Sequence, residues 1–211
     1  MEQKALKTVA LIVAHPDDET LWAGGTLLSH PYWEVFICSL CRGNDPDRAP
    51  RFFAALKVLG AEGKMGVLDD SPDLKELSEM EVEQAILDLL PEKNYDLIIT
   101  HHPRGEYTRH LRHEETSSAV IKLWNAGKIA TSELWCFAYE DGGKEYFPRP
   151  VNSANIVRLL DRQTWLNKYS LMTETYGFDN TSWEAQTTPQ TESFWQFTSH
   201  EDAMKWLTKL T

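Results

Sequence analysis

Thr8-Val9-Ala10-Leu11-Ile12-Val13 is apolar at every position after the first and runs unbroken into Ala14-His15-Pro16-Asp17-Asp18-Glu19. So continuous a short run suits a strand buried on both faces, the pattern of a parallel sheet with helices on each side. Val35–Leu40, Asp96–Thr100 and Leu134–Tyr139 have the same character, and Met65–Leu68 is a weaker example. Helical patterns separate them. They are Thr20–Ser29, Arg51–Leu59 (stopped by Gly60), Leu74–Leu90 (stopped by Pro91), Glu114–Asn125 and Asn155–Met172. Such alternation predicts an α/β fold, a Rossmann-like three-layer sandwich around a largely parallel sheet. Sites in such sheets lie at the carboxyl edge of the strands, where His15 and His101 fall.

The 211 residues suit a single domain, 1–211. From Thr173 to Thr211 the periodicity weakens, and this stretch reads as a C-terminal extension packed on the domain, because Trp183, Phe194, Trp195 and Phe197 need burial. A net charge of −11 argues against nucleic acid or an anionic membrane as the main partner. No apolar stretch is long enough to span a bilayer, and no signal-peptide pattern opens the chain. Three cysteines make a disulfide framework unexpected, so the expected location is the cytoplasm. Homo-oligomerisation is left open.

The acidic segment after the first strand is the first to carry chemistry. The second, Thr100 to His113, also follows a strand and holds four of the seven histidines. A catalytic zinc needs three protein ligands and an open position. His15, Asp18 and one histidine of the second segment would supply two imidazoles and one carboxylate, a set that suits Zn2+ and also Fe2+. Asp17 would then be free to move a proton. The plainer reading of Asp17-Asp18-Glu19 is an N-cap with an acidic first turn. Finding both segments at one sheet edge favours a site.

Other signals are weaker. Cys38-x-x-Cys41 lies at a strand end and reads as structural. His113-Glu114-Glu115-Thr116 lacks the second histidine of a metalloprotease helix. Gly24-Gly25 has no dinucleotide-binding frame and reads as close helix packing. Trp22 is the one aromatic kept as a pocket candidate, and Asp69-Asp70 reads equally as cleft lining or an exposed turn.

On Ala14-His15-Pro16-Asp17-Asp18-Glu19, Leu40-Cys41-Arg42-Gly43, Arg48 to Gly60, Thr100-His101, Gly105-Glu106-Tyr107 and His110-x-x-His113, the chain resembles the PIG-L/LmbE-like zinc-dependent N-acetylglucosamine deacetylases. The resemblance implies a zinc-dependent hydrolase acting on a small-molecule amino sugar. His15, Asp18 and His113 would hold the metal, with Asp17 as general base. His110 would stabilise the tetrahedral intermediate or protonate the leaving amine, and Arg48 and Tyr107 would contact substrate. The usual second motif is His-Pro-Asp-His, whereas Leu111 and Arg112 stand between the histidines here. A nearby guanidinium would lower the pKa of His110, leaving Glu106 or Glu114 to supply a carboxylate. Arg51 stands where a glutamate is common, leaving Arg48 without its local partner. The alternatives are a zinc amidase acting on a non-sugar amide and a non-catalytic metal-containing binding module. The missing span argues against a membrane-embedded glycolipid deacetylase.

Overall fold

The computed structural model describes residues 6–71, 73 and 75–210. The chain runs β1 (Thr8–Val13), α1 (Asp18–Leu28), β2 (Glu34–Cys41), α2 (Arg48–Leu59), β3 (Glu62–Leu68) and α3 (Glu79–Leu89). It continues through β4 (Asn94–Tyr95), β5 (Leu97–Thr100), α4 (Leu111–Asn125), β6 (Ala130–Thr131), β7 (Leu134–Phe137), β8 (Tyr139–Glu140) and β9 (Arg149–Pro150). It ends with β10 (Ile156–Leu159), α5 (Arg162–Ser170), a π-helical turn at Leu171–Thr175, α6 (Trp183–Thr187), β11 (Thr191–Phe197) and α7 (His200–Leu210). Among the described residues no helix is long and apolar enough to cross a membrane.

Seven strands form the central sheet in the order β10-β11-β7-β5-β1-β2-β3. From β7 to β3 all neighbours pair in parallel, and β11 runs antiparallel to both β7 and β10. This is the Rossmann-like three-layer arrangement that the alternating apolar runs predict. β1 is buried throughout from Val9 to Val13. Val9, Leu11 and Val13 face one core with α1, α2 and the segment Leu171–Phe178, while Ala10 and Ile12 face the other with α3, α4 and α7. Strand order reverses between β1 and β5, so the switch-point crevice opens where those two strands end.

Two boundaries depart from expectation. Asn155–Met172 is not one helix, because Ile156–Leu159 pairs with β11 as a strand and α5 starts only at Arg162. Asp161 caps α5, its side chain accepting from the Thr164 N–H, which separates the two elements. α3 begins at Glu79 behind the cap Ser78, later than the predicted Leu74, which lies outside the described residues.

The tail contributes β11, a strand whose apolar pattern is interrupted by the buried Glu192. Glu192 is fully paired. It accepts from the Gly25 N–H at 2.8 Å, the Thr26 N–H at 2.6 Å and Lys168 Nζ at 2.7 Å. A Cβ on Gly25 would lie 2.2 Å from Leu160 Cδ1, so a glycine lets α1 come this close to the chain before α5. Cys38 and Cys41 sit in the same core rather than on opposite faces, because the pairing of β2 with β3 is bulged between Ser39 and Cys41. All three cysteines are free and buried, and burial pushes the Cys38 thiol up to about 12, the setting of an inert structural thiol.

Replacing Lys168 by Met would strand the Glu192 carboxylate in the interior. The expected cost is about 3 kcal/mol of stability, measured by urea unfolding. Unchanged stability would mean that the pair does not tie β11 to α5.

Candidate metal and acid–base site

Ala14 joins the two loops that build the site. Its carbonyl accepts from the Cys41 N–H at 2.9 Å and its N–H donates to His101 Nε2 at 2.9 Å. The chain then turns sharply at Asp17, whose φ of 124° and ψ of −30° lie in a region that side chains rarely adopt. Glu19 supports that turn. It is fully buried, with Oε2 accepting from the Asp17 N–H at 3.0 Å and Oε1 from Tyr176 Oη at 2.6 Å. Glu19 is the first-turn acid of α1 that the sequence predicts, and its carboxylate also braces the backbone of the cap residue Asp17.

Asp18 opens α1. Its Oδ2 accepts from the His15 N–H at 2.9 Å and its Oδ1 from Trp22 Nε1 at 3.2 Å. Trp22 is fully buried, which removes it as a pocket aromatic and makes it a brace for Asp18. On the second loop, Glu106 sits behind the αL residue Gly105 and accepts at Oε2 from His113 Nδ1 (2.6 Å) and His101 Nδ1 (3.0 Å). Its Oε1 accepts from the His102 N–H at 2.8 Å. These partners hold the Glu106 carboxyl far below the usual carboxylate range despite burial.

Three donor atoms converge between the loops. His15 Nδ1 lies 3.1 Å from Asp18 Oδ2 and 3.2 Å from His113 Nε2, and His113 Nε2 lies 3.3 Å from Asp18 Oδ2. Two imidazole nitrogens and a carboxylate oxygen thus share one small space, a set of lone pairs that a single cation would satisfy together. The edges of this triangle match a tetrahedral face around an ion with bonds of about 2.0–2.1 Å, the lengths of zinc sites. Glu106 accepts from the Nδ1–H of His113, which leaves the Nε2 lone pair free, as a metal-binding histidine requires. The donor set is compatible with zinc.

His101 also comes within 3.4 Å of Asp18 Oδ2. The surrounding carboxylates pull it toward the charged form, up to about 9, despite its burial. The Ala14 N–H aimed at Nε2 nevertheless needs an unprotonated acceptor there, and this directed bond decides for a neutral ring whose free lone pair is already used.

Adjacent Asp17 and Asp18 are driven apart. Although desolvation raises both, the His113 and His101 rings hold Asp18 well below the carboxylate range, while burial and the Asp18 charge raise Asp17 well above it. Asp17 stands outside the triangle, with Oδ2 at 3.9 Å from Arg48 Nη1. Arg48 thus faces a carboxylate from another element, stacks at 4.5 Å over Phe178, and has a buried Nη1 with no hydrogen-bond partner. Arg51 turns away to Asp47 and the Tyr176 carbonyl.

A cleft of about 150 Å³ opens over these groups. His15, Asp17, Asp18, Arg48, Tyr107 and His110 line it, and His113 lies fully buried beside them, so all seven sequence-predicted site residues come together. Arg42, Trp183 and Glu184 also line it and were missed, two of them belonging to the weakly patterned tail. A larger cavity of about 690 Å³ shares Tyr107 with this cleft and is lined also by Glu106, but contains none of the three donors. Burial and nearby carboxylates push the Tyr107 phenol up, keeping it a donor.

His110 stacks on His113 at 4.6 Å, and its Nδ1 is buried without a partner. Burial, with the His113 and His15 rings, pushes it down to about 3. Arg112 is not the cause of that shift, because its guanidinium points to Asp69, Lys75 and Glu115. Neither carboxylate expected to back His110 does so: Glu106 serves His101 and His113, and Glu114 pairs with Arg109.

Residues 10–124 match the PIG-L family, described as GlcNAc-PI de-N-acetylase, and the chain belongs to that family. An uncharacterized protein of Acanthamoeba polyphaga mimivirus is 26% identical over 127 residues, covering 54% of this chain and 56% of that protein. Among solved structures, an N,N'-diacetylchitobiose deacetylase from Pyrococcus horikoshii aligns with a TM-score of 0.68 at 16% identity, over 96% of this chain and 86% of that one. The zinc-inhibited form of a teicoplanin deacetylase aligns at 0.64 and 16% identity, over 91% and 98% of the two chains. A 4-carboxy-2-hydroxymuconate hydratase from Pseudomonas putida aligns at 0.63 and 13% identity, over 92% and 97%. These structural likenesses are of fold.

Glu106→Ala would leave the Nδ1–H groups of His101 and His113 buried and unpaired. The metal-free protein should lose at least about 2 kcal/mol in urea unfolding, and Glu106→Gln should lose less because an amide oxygen still accepts. Equal stability of the alanine variant and wild type would refute this bracing role.

Proposed function

We propose that this chain is a zinc-dependent N-deacetylase that hydrolyses the 2-acetamido group of an N-acetylglucosamine-type sugar or conjugate. The observation that carries the reading is the triangle of His15 Nδ1, Asp18 Oδ2 and His113 Nε2 with a separate carboxyl, Asp17, beside it. A merely structural metal would have no use for that carboxyl. Zinc held there would polarise the amide carbonyl and bring the pKa of water to roughly 7.

Proton transfer falls to Asp17. A carboxyl raised by burial is matched to accept a proton from attacking water near neutral pH. The same group can return that proton to the departing amine as the C–N bond breaks, so one residue serves as base and then acid. His110, held neutral and without a carboxylate behind it, is assigned to hydrogen bonding in the cleft rather than to a charged acid. Tyr107 would donate its phenolic proton to developing negative charge. The unpartnered Nη1 of Arg48 would meet a polar group of the substrate and help hold Asp17 in place.

Asp17→Ala should abolish acetate release while zinc content stays stoichiometric, and retained turnover would remove Asp17 as the base. His113→Ala should lose zinc, and an unchanged metal content would take it out of the donor set. The substrate reading rests on a panel of acetylated amino sugars and other acylamides with zinc-reconstituted protein. Acetate from the sugars alone supports it. Turnover restricted to other amides would make the chain a different amidase, and none at all with zinc bound would make it a binding module.

A further inference from the structure

His15 reaches the donor triangle through Nδ1, so with a cation held there its proton has to sit on Nε2. That nitrogen is 3.1 Å from Asp70 Oδ1. Asp70 Oδ2 accepts from Arg42 twice, from Nε at 2.8 Å and from Nη2 at 2.6 Å. The side chain of Asp70 is only 7% exposed, although it lies two residues beyond β3 where no strand pairing directs it.

Its backbone is held from another element. Arg112 is 1% exposed and spreads its guanidinium over three acceptors: Nε to the Asp69 carbonyl at 2.5 Å, Nη2 to the Lys75 carbonyl at 2.7 Å, and Nη1 to Glu115 at 2.5 Å. The planar guanidinium meets them from three separate nitrogens in a fixed fork, a spread that the single ammonium nitrogen of a lysine does not reproduce. Arg112 precedes His113 in the first turn of α4. The helix that presents one imidazole of the triangle therefore also holds the peptide from which Asp70 reaches the other.

We propose that Asp70 is the positioning residue for His15, fixing its Nε2–H tautomer and ring orientation, and that Arg112 sets Asp70 in place. This rests on the zinc reading above. Each imidazole of the triangle then has its own carboxylate on the far nitrogen, Asp70 for His15 and Glu106 for His113. Arg112, which backs no histidine itself, braces the site through the backbone carbonyls of Asp69 and Lys75.

The test is zinc affinity of the full chain, measured by competition with a chromogenic chelator. Asp70→Ala should weaken zinc binding by about 10- to 100-fold, the usual loss for a carboxylate behind a metal-binding histidine. Asp70→Asn keeps an acceptor oxygen for Nε2–H and should recover most of that loss. Arg112→Met should weaken binding in the same direction, and the Asp70→Ala/Arg112→Met double variant should bind no more weakly than Asp70→Ala. If Arg112→Met does not fold, Arg42→Gln probes the same carboxylate from its other side and should also weaken zinc. Wild-type affinity in a folded Asp70→Ala variant would overturn the proposal, as would a loss confined to substrate KM, which would make Asp70 a substrate contact. Zinc bound by wild type and equally by Asp70→Ala sinks this inference alone, whereas a wild type that takes up no zinc sinks the zinc reading with it.

Discussion

β1 lies in parallel register between β2 and β5 and is buried on both faces, so it can present polar groups only beyond its carboxyl end. The switch in strand order sets that end beside the end of β5. Ala14 then joins them by a hydrogen bond to His101, and the remaining site geometry follows from that junction. The loop after β1 supplies His15, Asp17 and Asp18. The loop after β5 and the start of α4 supply Tyr107, His110 and His113. Neither loop alone holds three converging donors.

Concentrating so much charge in the interior demands compensation, and each buried carboxylate has a distinct one. Glu106 is surrounded by imidazole and backbone N–H groups, Glu192 by helix N–H groups and Lys168, and Glu19 by Tyr176, Thr20 and the Asp17 N–H. Asp17 has the least, with its nearest cation 3.9 Å away. Its raised proton affinity, beside an Asp18 held ionised, shows how two neighbours of one chemical type are suited to different tasks by their surroundings alone.

The sheet and the donor loops were legible in the sequence for a simple reason. Fully buried strands write themselves as unbroken apolar runs, and a charged hexapeptide after such a run has few structural explanations. β10 and β11 were not legible. Their apolar alternation is short, and the buried Glu192 stands where an apolar residue would mark the strand. Trp183 and Glu184, which reach the cleft from that same tail, were hidden with it.

By itself, then, the sequence determined the α/β class, the edge of the sheet that carries chemistry, and the residue types gathered there, because these depend on local pattern and spacing. Only the tertiary structure decided which group acts on which. Glu106 serves His113 and not His110, Asp70 stands behind His15, and Arg112 holds the Asp69 carbonyl some forty residues earlier instead of touching His110. Hydrogen bonds of this kind join segments distant in the chain, and their geometry is set by how helices pack on the sheet, which no run of neighbouring residues encodes.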